Sequence, residues 1–145
     1  MKVEFITDGL NTLKEDRSSL AAIFNDQNKV VGYVYIAYKK EQVVVINQFE
    51  IFEEEQNKGY EVEALKELIK IVRDDHYRYI FYKLEIYDNK MNHILSDLGF
   101  ETVGKKYYQT DSKYLIRVFT VDKTANTIEK TIIATQIFPK MFKDQ

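Results

Sequence analysis

The stretch Phe49–Leu68, FEIFEEEQNKGYEVEALKEL, is where the hydrophobic period of the chain changes. Val43–Phe52 is dense in β-branched and aromatic residues, which reads as a strand. From Tyr60 to Arg73 the apolar residues fall at Val62, Leu65, Leu68, Ile69 and Val72. That spacing predicts a helix with one wide apolar face. Between them lies the turn Gln56-Asn57-Lys58-Gly59. A helix that starts directly after a strand presents unpaired backbone N–H groups, and its dipole favours an anion there. Gly59 has no side chain, so a phosphate can approach the backbone closely. A tight strand-to-helix turn would use the same glycine. The spacing matches neither a P-loop nor a dinucleotide fingerprint.

Working outward, the chain opens with alternating residues around Val3 and Phe5, a strand, followed by a turn and short helix over Thr7–Asp16. Leu20–Phe24 and Val30–Tyr38 read as further strands. Polar turns near residues 25–28 and 39–42 make this an antiparallel meander. Downstream, Asp74-Asp75-His76 ends the long helix, and Tyr79–Tyr87 is a strand with Tyr79, Phe81, Lys83 and Glu85 on one face. Asp88 or Asn89 caps a helix that Gly99 terminates. Val103–Tyr108 and Tyr114–Val121 form a closing hairpin. Strands feeding one β-α-β unit define an α+β fold with a mixed sheet. Residues 126–142 fit helix and strand equally. Their Ile132, Ile133, Ile137, Phe138 and Phe142 should pack on the sheet or on a second subunit, which would make a homodimer.

The 145 residues fit a single domain, with 21 basic and 23 acidic side chains, no cysteine and two histidines. Disulfides, thiolate nucleophiles and multi-histidine zinc sites are excluded. A net charge of -2 gives no basis for bulk attraction to nucleic acid or a membrane surface. The N-terminus lacks the longer apolar run of a signal peptide, so the cytoplasm is the expected compartment. Asp74-Asp75-His76 reads as a helix end, and no metal site is expected.

The order of elements, the Gln56-x-x-Gly59-x-Glu61 turn, and Asp88-Asn89-Lys90-Met91 running to Leu98-Gly99-Phe100 resemble the GNAT N-acetyltransferase superfamily over roughly residues 1–121. The resemblance implies an acyl-CoA N-acyltransferase fold, a mixed and mostly antiparallel sheet flanked by helices. It implies one domain over residues 1–145, with 124–145 a C-terminal extension. Acetyl-CoA would be the co-substrate and a primary amine of a small molecule or protein the acceptor, attacking directly. By the same resemblance the loop Gln56, Asn57, Lys58, Gly59, Tyr60 and Glu61 would bind the coenzyme pyrophosphate. Asn89 and Asn92 would complete the coenzyme set, and the backbone of Phe49 and Ile51 would pair with its pantetheine arm, Ile51 serving the oxyanion.

The chemistry sets further demands. A lysine-type amine has a pKa near 10.4, so only about one in 2,500 is neutral at pH 7, a cost of roughly 4.6 kcal/mol. A base is needed, and donors for the thioester oxygen. Candidate bases are Glu50, Glu53 and Glu85. Glu53-Glu54-Glu55 otherwise reads as an exposed acidic turn. The family pattern has Gly or Ala where this chain has Glu61. It often has a tyrosine, acid to the departing thiolate, where this chain has Leu95, with Ser96 beside it. Tyr87, Tyr107 and Tyr108 are the nearby hydroxyls. Glu61 and Leu95 also carry an alternative reading, a catalytically inactive binding module on the same fold.

Overall fold

The computed structural model describes residues 1–5, 17–103, 113–123 and 127–142. The strands are β1 (Lys2–Phe5), β2 (Arg17–Phe24), β3 (Val30–Lys39), β4 (Val43–Ile51), β5 (Tyr79–Glu85), β6 (Glu101–Thr102) and β7 (Tyr114–Thr120). The helices are α1 (Tyr60–Asp74), α2 (Asn89–Leu98) and α3 (Thr127–Ile137). The described strands form one sheet in the order β1-β2-β3-β4-β5-β7-β6. β4 and β5, joined through α1, run parallel, and the other pairs are antiparallel. This is the α+β mixed sheet expected from the element order.

Period-two alternation divides the buried residues between the two faces. Val34, Ile36, Val44, Ile46, Ile80 and Leu84 lie under Leu65, Leu68 and Val72 of α1 and Met91 and Leu95 of α2. Val43, Val45, Phe81, Ile116 and Val118 face the other way, onto Ile133 and Ala134 of α3. The ambiguous tail is therefore a helix, and it docks on the sheet of its own chain. Phe138 packs edge-on against Phe81 at 6.2 Å between ring centroids. Ile128 and Ile132 remain exposed.

Two expectations need correction. β5 ends at Glu85, short of Tyr87, because Asp88 N–H already bonds to the Glu85 carbonyl in a turn. The strand of the closing hairpin starts at Glu101, ahead of Val103. Gly99 caps α2 with φ 100°, and Phe100 then turns at once onto Phe119, 5.4 Å between rings. The helix expected over Thr7–Asp16, and residues 104–108 of the hairpin, lie outside the described residues.

Candidate functional site

The sheet opens at its middle. β4 and β5 pair from Val43–Ile46 to Tyr79–Tyr82 and no further. On the other side of β4, Tyr35 pairs with Gln48 and Ile36 with Ile46, which leaves Asn47 as an extra residue. Such a bulge bends its strand, and here it turns β4 away from β5. The bulge also inverts the alternation, so that Ile51 faces the same core as Val44 and Ile46. Phe52 N–H donates to the Val31 carbonyl, and the Glu50 carbonyl points at Gly32 of β3. By alternation the backbone groups of Phe49 and Ile51 point into the gap. Two adjoining cavities fill it, about 320 Å³ and 230 Å³, sharing Phe49, Glu50 and Asp88 in their walls.

The turn after β4 leads to an open helix end. Glu53–Glu55 forms one 3-10 turn, and Asn57 takes φ 66°, a left-handed conformation that asparagine tolerates. Gly59 is the N-cap of α1 at φ 80° and ψ 10°, and no side chain caps that helix. A Cβ built on Gly59 would meet nothing within 4 Å. The first turn of α1 thus has no side-chain cap, and Gly59 leaves room beside it, as an anion site requires.

The acidic run does not behave as one exposed turn. Glu53 and Glu54 are exposed, but Glu55 is buried. Its carboxylate takes Lys29 Nζ at 2.6 Å and Lys58 Nζ at 3.1 Å. Those lysines, Lys29 first, hold its pKa below the usual carboxylate range. Lys58, within the loop, is thus engaged by Glu55. Gln56 donates from Nε2 to the Ile51 carbonyl at 3.1 Å. Tyr60 packs its ring on the core, and its hydroxyl accepts from Asn25 Nδ2 at 3.4 Å.

Glu61 and the α2 residues form the opposite wall. The Glu61 side chain turns inward and pairs with Lys90, Nζ to Oε2 2.7 Å. Asp88 caps α2 by accepting from Met91 N–H at 3.0 Å. Asn89 is exposed at the rim. Asn92 points under the helix, where its Oδ1 accepts from Arg117. Arg117 also donates to Ser96 Oγ at 2.9 Å and the Phe100 carbonyl at 2.7 Å. Asn92 and Ser96 thus tie α2 to β7. Leu95 is fully buried in the core.

Of the acid–base candidates, Glu50 and Glu85 line the smaller cavity. Glu50 accepts a hydrogen bond from Tyr33 O–H at 2.8 Å, and Tyr33 in turn accepts from Gln48 Nε2 at 2.9 Å. The bond to Glu50 raises the Tyr33 pKa. Burial pushes Tyr82, at the same cavity, well above the ordinary phenol range. Tyr87 is 89% exposed and lines neither cavity. Tyr107 and Tyr108 lie outside the described residues. Tyr33 was not visible as a site residue in the sequence. Its partnership with Glu50 depends on the β3–β4 register, which no motif encodes. Among the described residues no cluster of three His, Cys, Asp or Glu side chains could hold a metal. No described helix is long and apolar enough to cross a membrane.

The mixed, mostly antiparallel sheet with its helices is the acyl-CoA N-acyltransferase fold. The chain belongs to the acetyltransferase (GNAT) family, whose model matches residues 3–100. Its fold is similar to that of a Klebsiella pneumoniae protein assigned to the acyl-CoA N-acyltransferases, with TM-score 0.62 and 16% identity over 72% of this chain and 73% of that one. It is similar to a GNAT family acetyltransferase from Elizabethkingia anophelis with acetyl-CoA bound, TM-score 0.58 and 14% identity over 71% and 76% of the two chains. The spermidine N-acetyltransferase of Vibrio cholerae, a dodecamer, gives TM-score 0.59 and 14% identity over 75% and 68%. No curated protein sequence matches the chain.

Proposed function

We propose that this chain is an acetyl-CoA-dependent N-acetyltransferase acting by direct attack of a primary amine on the thioester. The observation that carries the reading is the open N-terminal turn of α1 behind Gly59, set at a gap where β4 has lost its parallel partner. The family supplies the coenzyme, and the residues present fit it. The α1 N–H groups suit a pyrophosphate. The gap-facing backbone of Phe49 and Ile51 suits an extended amide-bearing arm, which pairs as an added strand would. A relative in the fold carries acetyl-CoA.

In this reading Glu50 is the base, acting through water, and Tyr33 holds its carboxylate in place. The neutral amine attacks the carbonyl carbon, the C–S bond breaks with its electron pair leaving on the coenzyme sulfur as thiolate, and the amine proton passes through water to Glu50. Ile51 N–H donates to the carbonyl oxygen as charge develops there, the term on which such reactions depend most. Glu85 lines the same cavity and is the alternative base. The acceptor is an amine of a small molecule or a protein. Calorimetry with acetyl-CoA tests the reading: binding at micromolar to millimolar ligand is expected, and none at millimolar concentration refutes it.

Leu95 favours a second reading. It occupies, fully buried, the position where the resemblance calls for an acidic hydroxyl, so the chain would bind coenzyme without turning over. Thiol release from acetyl-CoA across a panel of amines separates the two. Binding without release for any amine selects the binding module.

A further inference from the structure

The N-terminal turns of α1 and α2 meet across the larger cavity through one ion pair, Lys90 Nζ to Glu61 Oε2 at 2.7 Å. The Glu61 side chain is 9% exposed and that of Lys90 52%. The second Glu61 oxygen, Oε1, is buried without a hydrogen-bond partner. Both residues line the cavity, and Lys90 is the one cation in its wall among the described residues. The other acids there have partners of their own: Asp88 caps Met91 N–H, and Glu50 accepts from Tyr33.

A buried carboxylate at the mouth of an anion site would by itself oppose the anion. Here it does something else as well. A lysine on a free stem pays rotamer entropy each time it grips a ligand; one already anchored has lost that freedom before binding. An ammonium has three donors, and Glu61 uses one. Swinging fully away would leave Glu61 buried and uncompensated, which is strongly unfavourable. Lys90 therefore stays at Glu61 with donors to spare, between two helix N-termini whose dipoles favour negative charge.

We propose that Lys90 is a binding residue for the coenzyme pyrophosphate and that Glu61 is the positioning residue that holds it; this rests on the coenzyme reading above. The test titrates the full chain with coenzyme A and with pantetheine, which lacks the pyrophosphate. Lys90→Met should weaken coenzyme A about tenfold, as expected for loss of one charged hydrogen bond, and leave pantetheine unchanged. Lys90→Arg should retain most of the affinity. Glu61→Gln should also weaken coenzyme A, although it removes a negative charge from beside an anion. Unchanged binding by Lys90→Met, or tighter binding by Glu61→Gln, overturns the proposal. If Lys90→Met fails to fold, Glu61→Gln and Lys90→Arg decide between the same outcomes. Wild-type protein that binds no coenzyme A overturns the coenzyme reading itself, a result distinct from either.

Discussion

Gln56 reaches back along its own chain and donates from Nε2 to the carbonyl of Ile51, 3.1 Å away. That bond fastens the loop that opens α1 to the last residue of β4, where β4 is still paired with β3 but no longer with β5. Loop and strand end thus share a direct contact. Gln56→Ala should cost about 1 kcal/mol of stability, the net worth of one such bond. It should lower acetyl-CoA affinity by more than that loss of stability would suggest, because both halves of the site lose their common anchor. Gln56→Arg keeps a donor and should restore binding. Denaturant midpoints set beside calorimetric affinities for the two variants make the check.

Gly32 matters through close approach. A Cβ at this position would sit 2.1 Å from the Glu50 carbonyl oxygen and 3.0 Å from Ile51 Cα. Both obstacles lie on the partner strand's backbone, so β3 and β4 would have to separate where β4 borders the gap. Gly32→Ala should cost about 3 kcal/mol, the upper end for overpacking, and should impair coenzyme binding as well. A melting temperature equal to wild type would refute the close approach.

The legible parts of this chain were those with local causes. The helical period from Val62 to Val72, the Asp88 cap and the Gly99 stop each depend on residues a few positions apart, and each stands where the pattern put it. The tight strand-to-helix turn at Gly59 was legible for the same reason. Asn92 was not: its fate is decided by Arg117, 25 residues away, and a short motif cannot tell a coenzyme contact from a strut. Glu55 looked like one of three equivalent acids. Its carboxylate is paired by Lys29, 26 residues away, as well as by neighbouring Lys58. The tail was ambiguous because its isoleucines satisfy both periods, and contact with Phe81 and its neighbours settles the matter.

Glu55 should govern part of the acid limb of stability. Its folded pKa lies below the ordinary value of 4.5, chiefly through the hydrogen bond from Lys29 and then that from Lys58. A carboxyl group depressed by folding stabilises fully above its unfolded pKa and loses that contribution as the pH falls through the folded one. Wild type should therefore lose melting temperature below about pH 4.5 faster than Glu55→Gln does. The gap between the two should be widest near neutrality and close in acid. Parallel curves down to acid pH would show that the two lysines do not depress this group.

Gly59 separates conformation from access. Its φ of 80° penalises any side chain except those that tolerate the left-handed region. Gly59→Ala should cost about 1–2 kcal/mol and Gly59→Asn less. Nothing within 4 Å would meet the added Cβ, so neither variant should clash in the free protein. Both place atoms at the proposed phosphate site, and Gly59→Trp should abolish acetyl-CoA binding. An affinity unchanged in the Trp variant would move the anion site elsewhere.

Glu50 is the sharpest catalytic test because its neighbours allow a near-isosteric change. Tyr33 O–H donates to Glu50 Oε2 at 2.8 Å, and a glutamine carbonyl in its place can still accept that bond. Glu50→Gln should therefore fold as wild type and bind acetyl-CoA with unchanged affinity. It should lower kcat about a hundredfold or more, the usual return of a general base. Tyr33→Phe should give a smaller loss, since it frees the carboxylate without removing it. Glu85→Gln is the control across the smaller cavity. A full loss in Glu85→Gln with none in Glu50→Gln would transfer the role to β5. Equal, modest losses in both would mean that bulk water takes the proton, and that the site works by placing the amine and the thioester together.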